Sequence, residues 1–312
     1  MRIVFMGTPD FAYVQLKALL EAGHEVVAVV TQPDKPNKRG NKIVYSPVKV
    51  LALENSIEVL QPTNIKSLEA VQRIQSFNPQ IIVAVAYGQL LSQKILELPK
   101  YGCINIHASL LPKYRGSAPI HWSIINGEVE TGVTTMYMDI GMDTGDMIYH
   151  EKVSIGEYVT VGELYDKLAA IGASLIVKTI AHIQTGVAPR EKQDEAKSTY
   201  APLLSKDTGK INWNNTSKQI ANLVRGTNPW PVAFTNYAGQ KIKILTTQNH
   251  QDTIDIDSEP GTIIEYVRNK GLLVKTGDGA IYLDMIQFPN KKKMNMDTYL
   301  LGNTIEIGTV LG

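Results

Sequence analysis

An asparagine, a histidine and an aspartate occur where their side chains could stabilise and move charge. The run Cys-Ile-Asn-Ile-His contains Asn105 and ends at His107, and Asp143 follows in a glycine-containing segment. If that run is a strand, Asn105 and His107 point to the same side, because side chains alternate along a strand. Together they could hydrogen-bond the oxyanion formed when a nucleophile attacks a carbonyl. Asp143 could orient His107 and favour its protonated form. On spacing alone, a turn or capping role is the more common one for residues of these types.

Apolar runs that alternate with helical patterns predict the sheet that positions these residues. Strands are expected at residues 2–6, 25–31, 81–86 and 103–107. Between the first two, Phe11, Val14 and Ala18 recur at helical spacing. The alternation indicates the α/β class, with a Rossmann-like, mostly parallel sheet and helices on both faces. Such sheets bind ligands at the carboxyl ends of their strands, which is where Asn105 and His107 would lie.

The character of the sequence changes near residue 188. Thr160 and Glu163 form a capping-box pattern, and the helix that they begin should end near Gly186. Beyond it come strands expected at residues 241–245, 262–265, 272–276 and 281–286. Short alternating runs separated by turn residues are typical of a small antiparallel barrel. We therefore predict a catalytic domain over 1–188, a polar linker over 189–205 and an OB-like β-barrel domain over 206–312.

Composition narrows the function further. The 312 residues are 44% hydrophobic and 20% charged, which is ordinary for globular proteins, and the net charge of +1 gives no overall attraction to nucleic acid. Cys103 is the only cysteine, so no internal disulfide can form, and we interpret it as structural. The histidines show no ligand spacing, so no metal is expected. We find no signal peptide and no uninterrupted apolar run near membrane-spanning length, and we expect a cytoplasmic protein.

The segment around Asn105 resembles the catalytic signature of the folate-dependent formyltransferase family. Asn-Ile-His at 105–107, Ser-Leu-Leu-Pro at 109–112 and the later Asp143 match that signature residue for residue. The resemblance implies that Asn105, His107 and Asp143 act together in transferring a formyl group from the cosubstrate 10-formyltetrahydrofolate. The run Val-Ala-Tyr-Gly-Gln-Leu-Leu at 85–91 resembles the lining of the pterin pocket. The implied folate-binding residues are Tyr87, Gly88, Leu90, Ser109, Leu110, Leu111 and Pro112.

Other segments resemble the branch of this family that acts on methionyl-tRNA. They are Met-Gly-Thr-Pro-Asp-Phe-Ala at 6–12, Thr-Gln-Pro-Asp-Lys-Pro at 31–36 and Asn-Pro-Trp-Pro at 228–231. The resemblance covers essentially the whole chain. It implies formylation of the amino group of initiator methionyl-tRNA for translation initiation, by an enzyme that we expect to be a monomer.

Two basic clusters are the expected tRNA contacts. In that branch, the loop after residue 36 enters the acceptor-stem region of the tRNA. Residues 34–42 have four basic side chains against one acid, a local charge of +3: Lys35, Lys38, Arg39 and Lys42 against Asp34. Such charges bind phosphates with salt-sensitive affinity, and Arg39 matches the family's tRNA-contacting arginine. The second cluster, in the barrel domain, is Lys291, Lys292 and Lys293. A solvated surface loop is the ordinary alternative for either cluster.

Three other functions remain as alternatives. A sugar-nucleotide formyltransferase with an accessory domain would share the catalytic core but would not need the basic segment. A nicotinamide-dependent oxidoreductase is disfavoured, because only Gly7 precedes Phe11 where Gly-x-Gly-x-x-Gly is expected. A non-catalytic RNA-binding module would explain the barrel and the lysines, but not Asn105, His107 and Asp143.

Overall fold

The computed structural model describes residues 1–36, 43–249 and 257–312, so Lys38, Arg39 and Lys42 lie outside the described residues. The chain divides into two compact units. The first comprises Met1–Pro119, Thr131–Val153 and Tyr165–Ala201, and the second comprises Ile120–Glu130, Ser154–Leu164 and Pro202–Gly312. The domain boundaries expected at 188 and 206 stay predictions.

Eleven strands and six helices occur among the described residues up to Ala201. The strands are Arg2–Gly7 (β1), Glu25–Val30 (β2), Lys35–Pro36 (β3), Ile43–Val44 (β4), Val59–Leu60 (β5), Ile81–Val85 (β6), Cys103–His107 (β7), Arg115–Gly116 (β8), Glu130–Tyr137 (β9), Met147–Ser154 (β10) and Tyr200–Ala201 (β11). The helices are Asp10–Glu21 (α1), Pro47–Glu54 (α2), Leu68–Ser76 (α3), Gln93–Leu96 (α4), Pro119–Ile125 (α5) and Val161–Thr185 (α6).

Seven of these strands form one mixed sheet in the order β10-β9-β7-β6-β1-β2-β5. β1 pairs in parallel with β2 and β6, and β6 pairs in parallel with β7. The inner strands are buried runs rich in Val and Ile, as expected for strands covered on both faces. The predicted mostly parallel sheet is therefore confirmed. It also has an antiparallel side, where β9 runs against β7.

Helices cover both faces of this sheet. On one face, Val71 of α3 and Ile95 of α4 join a buried cluster that includes Cys103 of β7. On the other face α6 approaches β7, so that a Cβ at Gly172 would lie 3.3 Å from Cγ2 of Ile106. Because side chains alternate, the two polar side chains of β7 share the face of Cys103.

Helix α6 begins at the predicted capping box. Thr160 N donates to Oε2 of Glu163 at 2.9 Å, and Glu163 N donates to Oγ1 of Thr160 at 3.4 Å. By length and composition alone, α6 could cross a membrane, although polar residues interrupt its apolar sequence. A core helix satisfies the same criteria. Leu168 and Ile176 are fully buried, and the buried Thr179 hydroxyl lies 3.0 Å from that of Thr135 in β9, contacts typical of a core helix.

The remaining elements form a small β domain. They are Ser217–Gly226 (α7), Ala233–Tyr237 (β12), Gln240–Ile244 (β13), Thr247–Asn249 (β14), Ile263–Val267 (β15), Gly271–Lys275 (β16), Ala280–Leu283 (β17), Met285–Gln287 (β18), Met294–Asn295 (β19) and Met296–Leu300 (α8). They build two four-stranded antiparallel sheets, β12-β13-β18-β19 and β14-β17-β16-β15. Both sheets contribute to one core, with Ile244 from the first, Val274 from the second and Ile220 from α7.

The prediction of a single strand at 281–286 is wrong about the number of strands. The stretch is two strands, β17 and β18, separated at Asp284. Leu283 pairs with Leu272 in one sheet, whereas Met285 pairs with Asn295 in the other. The chain changes sheets at Asp284, as strands do at the corners of packed sheets, and the alternating pattern continues across that change.

Candidate active site

The three residues predicted to be catalytic lie together. Asn105 and His107 are on β7, and Asp143 lies in the segment after β9, the strand paired with β7. The amide Nδ2 of Asn105 donates to Oδ1 of Asp143 at 3.3 Å. The other carboxylate oxygen, Oδ2, lies 3.6 Å from Nδ1 of His107. One carboxylate therefore faces both an amide and an imidazole.

The segment after β9 turns back sharply to present Asp143. Oδ1 of Asp139 accepts hydrogen bonds from Gly141 N at 3.0 Å and from Oγ1 of Thr144 at 2.6 Å. A Cβ at Gly145 would lie 1.9 Å from the Tyr137 carbonyl oxygen, so only glycine fits there. Asp143 itself is in the left-handed region with φ 56°. The glycines of this segment thus allow the close return that aims Asp143 at β7.

The imidazole of His107 is fixed on both sides. The side chain is almost buried, with 6% of the residue exposed. Its Nε2 lies 2.8 Å from the carbonyl oxygen of Tyr114. A carbonyl oxygen only accepts, so Nε2 carries the hydrogen in this contact. Nδ1 faces Asp143, where a second proton would give an imidazolium paired with a carboxylate.

The Asp143 carboxylate also accepts a main-chain donor. Gly116 N donates to Oδ2 at 2.8 Å. Gly116 has φ 109°, and a Cβ there would lie 2.9 Å from the Ala201 carbonyl oxygen, so a side chain would be strained and crowded. Both carboxylate oxygens therefore have donors, which keeps the group oriented.

Tyr87 and Gly88 lie where the backbone leaves β6. Tyr87 is only 4% exposed, and its hydroxyl oxygen has no hydrogen-bond partner among the described residues. Burial raises the pKa of Tyr87 to about 12, so the phenol stays neutral. Tyr87 belongs to the same cluster as Cys103 and therefore lies on the Asn105 face of the sheet. Leu90 is 47% exposed. A buried hydroxyl without a partner and an exposed apolar side chain nearby fit a ligand with polar and apolar edges.

The Ser-Leu-Leu-Pro segment is a turn packed against β9. The Ser109 hydroxyl is buried and donates to the Lys113 carbonyl at 2.6 Å. The Ser109 carbonyl accepts from Oγ1 of Thr134 at 2.7 Å, and Leu111 packs with Met136 and Met147. Ser109 and Leu111 thus shape the turn. Two members of the predicted set remain half-buried, Leu110 and Pro112.

The predicted tRNA-contacting residues that the structure describes are exposed. Lys35 lies on β3, which pairs antiparallel with β4. Beside it, burial opposes ionisation of Asp34, but hydrogen bonds from Lys49 and Gln61 prevail and lower the pKa of that carboxyl. These contacts therefore fix Asp34, the residue that precedes β3. In the second unit, the exposed lysines are Lys291, Lys292 and Lys293.

Further residues around the site had no role assigned from sequence. The Arg115 side chain is fully buried and pairs with both carboxylate oxygens of Glu195, at 2.9 and 2.7 Å. Its Nε donates to Oε1 of Gln193 at 3.0 Å. Arg115 follows directly after the Ser-Leu-Leu-Pro-Lys-Tyr run, but nothing local marks it as buried. Gln193 and Glu195 lie in the predicted linker, where no pattern singled them out.

The chemistry available here is polar and acid–base. Among the described residues, no group of three or more His, Cys, Asp and Glu side chains could hold a metal ion. Burial raises the pKa of the Cys103 thiol to about 12, which disfavours the nucleophilic thiolate. An amide donor, an imidazole and a carboxylate within reach of one another suit acyl transfer through an oxyanion.

Comparisons define the class of protein. A formyl transferase model matches residues 1–180, and a model of the formyl transferase C-terminal domain matches residues 203–304. The N-formyltransferase from Helicobacter canadensis, in complex with folinic acid and dTDP-3-aminofucose, shares the fold (TM-score 0.67, 23% identity, covering 92% of this chain and 99% of that one). HypX from Aquifex aeolicus, in complex with tetrahydrofolic acid, does too (TM-score 0.62, 16% identity, covering 99% and 50%). Fold and family models thus define a formyltransferase.

Closer relatives narrow the class. The chain is 54% identical over 314 residues to a methionyl-tRNA formyltransferase from Desulforamulus reducens, covering 100% of this chain and 98% of the relative. It is 50% identical over 314 residues to the enzyme of the same name from Clostridioides difficile, covering 100% of both. The chain therefore belongs to the methionyl-tRNA formyltransferase family.

Proposed function

We propose that this chain transfers the formyl group of 10-formyltetrahydrofolate to the amino group of methionine on initiator tRNA. The product is N-formylmethionyl-tRNA for translation initiation. The observation that carries the proposal is the meeting of Asn105, His107 and Asp143, in a chain that matches methionyl-tRNA formyltransferases over its whole length.

The reaction is an acyl transfer. The neutral methionyl amine attacks the formyl carbon, so a carbon–nitrogen bond forms and an oxyanion develops. The bond between the formyl carbon and N10 then breaks, as one proton leaves the amine and N10 gains one. No covalent enzyme intermediate is needed, which agrees with the neutral thiol of Cys103.

Asn105 is the proposed donor to the oxyanion. Its amide nitrogen has two hydrogens, and the bond to Asp143 uses one of them. The second is available for the substrate oxygen, and the Asp143 bond keeps the amide from rotating away. A donor fixed in advance stabilises developing charge without having to reorganise during the reaction.

His107 and Asp143 are proposed to manage the protons. The carboxylate of Asp143 is the acceptor through which the amine can lose its proton, directly or through water. A protonated His107 beside it stabilises the oxyanion by its charge. In this arrangement the Nε2 hydrogen of His107 is used by Tyr114, so direct donation to the oxyanion from that atom would require the ring to exchange this bond.

Two segments are proposed to bind 10-formyltetrahydrofolate. The buried Tyr87 hydroxyl can hydrogen-bond a polar edge of the pterin, and Leu90 offers apolar surface. The backbone at Gly88 is open and exposed. From the other segment, Leu110 and Pro112 provide contact surface, whereas Ser109 and Leu111 support the turn from within.

The basic residues are proposed to bind the tRNA. Lys35, Lys38, Arg39 and Lys42 would meet the acceptor-stem region, and the second set is Lys291, Lys292 and Lys293. Support comes from Asp34, the single acid of residues 34–42, whose charge is already matched by its ion pair with Lys49. Counterion release makes such binding salt-dependent. We also propose that the protein is a cytoplasmic monomer; light scattering of the purified protein tests the monomeric state, and cell fractionation tests the location.

One assay separates the candidate acceptors. The purified protein is given 10-formyltetrahydrofolate with methionyl-initiator tRNA, methionyl-elongator tRNA or an amino-sugar nucleotide, side by side. Turnover of the initiator tRNA in clear preference to the other two is expected. Preferential turnover of the sugar nucleotide, or no turnover of any acceptor, would refute the proposed function.

A further inference from the structure

Residues 191–201, called here the return segment, follow α6 and pass back along the active site. Glu191 and Met147 are joined by two backbone hydrogen bonds of 2.8 and 2.9 Å. At the other end, β11 pairs in parallel with β8, so that Tyr200 lies opposite Arg115. One end of the return segment is therefore attached at Met147, just after the turn that carries Asp143, and the other is attached to β8, whose Gly116 N binds the Asp143 carboxylate.

Gln193 lies between these ends and binds the Asp143 turn directly. Its Nε2 donates to the carbonyl oxygens of Asp143 and Gly145, both at 2.8 Å. Its Oε1 accepts from Nε of Arg115 at 3.0 Å. The Arg115 guanidinium that orients Gln193 is fully buried and paired with Glu195. The hydrogen bonds to Glu195 raise the pKa of Arg115, so the guanidinium stays charged. All the polar atoms of the Gln193 side chain are thus engaged.

The same segment fixes the backbone groups that hold the catalytic side chains. Oγ1 of Thr199 accepts from Tyr114 N at 2.8 Å, and the Thr199 carbonyl accepts from Arg115 N at 2.8 Å. The neighbouring Tyr114 carbonyl bonds to His107, and Gly116 N bonds to Asp143. The return segment therefore supports both sides of the His107–Asp143 pair.

Asp143 is supported in this way in a left-handed backbone conformation. Aspartate tolerates a left-handed φ better than most residues, but this φ still costs free energy relative to the right-handed one and persists where the surrounding structure holds it. We propose that Gln193 is a positioning residue of the formyl-transfer site, which holds Asp143 in its left-handed conformation by binding the Asp143 and Gly145 carbonyls. This inference rests on the proposed function. Gln193 acts through Asp143 and need not touch a substrate.

Two substitutions test the two donated hydrogen bonds. Gln193→Met keeps the length and removes every hydrogen bond, whereas Gln193→Glu keeps the acceptor for Arg115 but cannot donate. Both variants should lower kcat on the order of 10- to 100-fold, because a small misplacement of catalytic groups has effects of that size. The KM values for both substrates should stay within about twofold of wild type, since neither binding site is altered.

The matched control is Gln15→Met. Gln15 is a fully buried glutamine in the same unit that also donates to a main-chain carbonyl, that of Ala169, at 2.9 Å. It should keep kcat within about twofold whatever its effect on the melting temperature. Loss of kcat in the Gln193 variants together with a retained kcat in the control separates positioning from general destabilisation.

A double-mutant cycle with Asp143→Ala completes the test. If Gln193 acts through Asp143, then Gln193→Met in the Asp143→Ala background should lower kcat less than about twofold further. An equal loss in both backgrounds, or wild-type kcat in both single Gln193 variants, would overturn the inference. The proposed function fails separately, if the wild-type protein does not formylate methionyl-initiator tRNA.

Discussion

The substitution Asp143→Asn tests the centre of the site with almost no change in shape. The carboxylate accepts hydrogen bonds on both oxygens, from Asn105 on one and from Gly116 N on the other. An asparagine has one acceptor oxygen and one NH2 group. Whichever way the amide is turned, its NH2 faces one of these two donors, and the negative charge beside His107 is lost.

The size of the effect follows from these contacts. A hydrogen bond to a charged group contributes about 1.5–3 kcal/mol. If one such bond is lost in the transition state, kcat should fall roughly 10- to 150-fold, since about 1.4 kcal/mol corresponds to tenfold in rate. The lost charge beside His107 acts in the same direction, so this range is a lower bound for a site that works as proposed.

The assay is steady-state formylation of methionyl-initiator tRNA with 10-formyltetrahydrofolate. Asp146→Asn is the control, because it removes the same charge only three positions from Asp143. The Asp146 carboxylate pairs with Arg190 at 2.7 Å. An ion pair as exposed as this one contributes at most about 1 kcal/mol to stability, and its loss should leave kcat unchanged. If Asp143→Asn retains the kcat of Asp146→Asn, the carboxylate has no role in catalysis.

Three further predictions concern other parts of the molecule. Asn105→Ala and His107→Ala should each lower kcat by on the order of a hundredfold or more while folate binding changes less; near-normal turnover of Asn105→Ala would remove its role as donor. Arg39→Ala should weaken formylation of initiator tRNA and leave folate binding intact, with a shallower salt dependence if it binds phosphate. Equal activity across a salt series would leave that loop without a tRNA role. The buried thiol of Cys103, whose pKa is raised to about 12, should resist alkylation at pH 8 in the folded protein and react once it is unfolded. Rapid labelling of the native protein would contradict that burial.

The local pattern of the sequence predicted the elements that carry the site. The runs that became β1, β2, β6 and β7 are apolar, and their alternation with helices indicated a parallel sheet. The capping box of Thr160 and Glu163 marked the start of α6. These signals are local, because they depend on neighbouring residues in the chain. Alternation along β7 also placed Asn105 and His107 on one side.

The recognition of Asp143 as their partner came from resemblance, since spacing could not show that a residue 38 positions from Asn105 meets it. Its contact depends on the antiparallel pairing of β7 with β9 and on the tight return at Gly145. Both are consequences of how strands pair and pack over long separations, and the sequence pattern in either segment is compatible with other arrangements.

Tertiary structure alone decided what surrounds these groups. Arg115 is buried because Glu195, 80 positions away, supplies a carboxylate that pairs with it, and no local pattern distinguishes such an arginine from an exposed one. Gln193 lies in a polar stretch that reads as a linker, yet it binds the Asp143 turn. A charged or polar side chain is buried only where its hydrogen-bonding partners are also present. Those partners are brought together by packing. The sequence by itself therefore determined the strands and the chemical groups of the site, whereas the tertiary structure determined how these groups are oriented and which partners they bind.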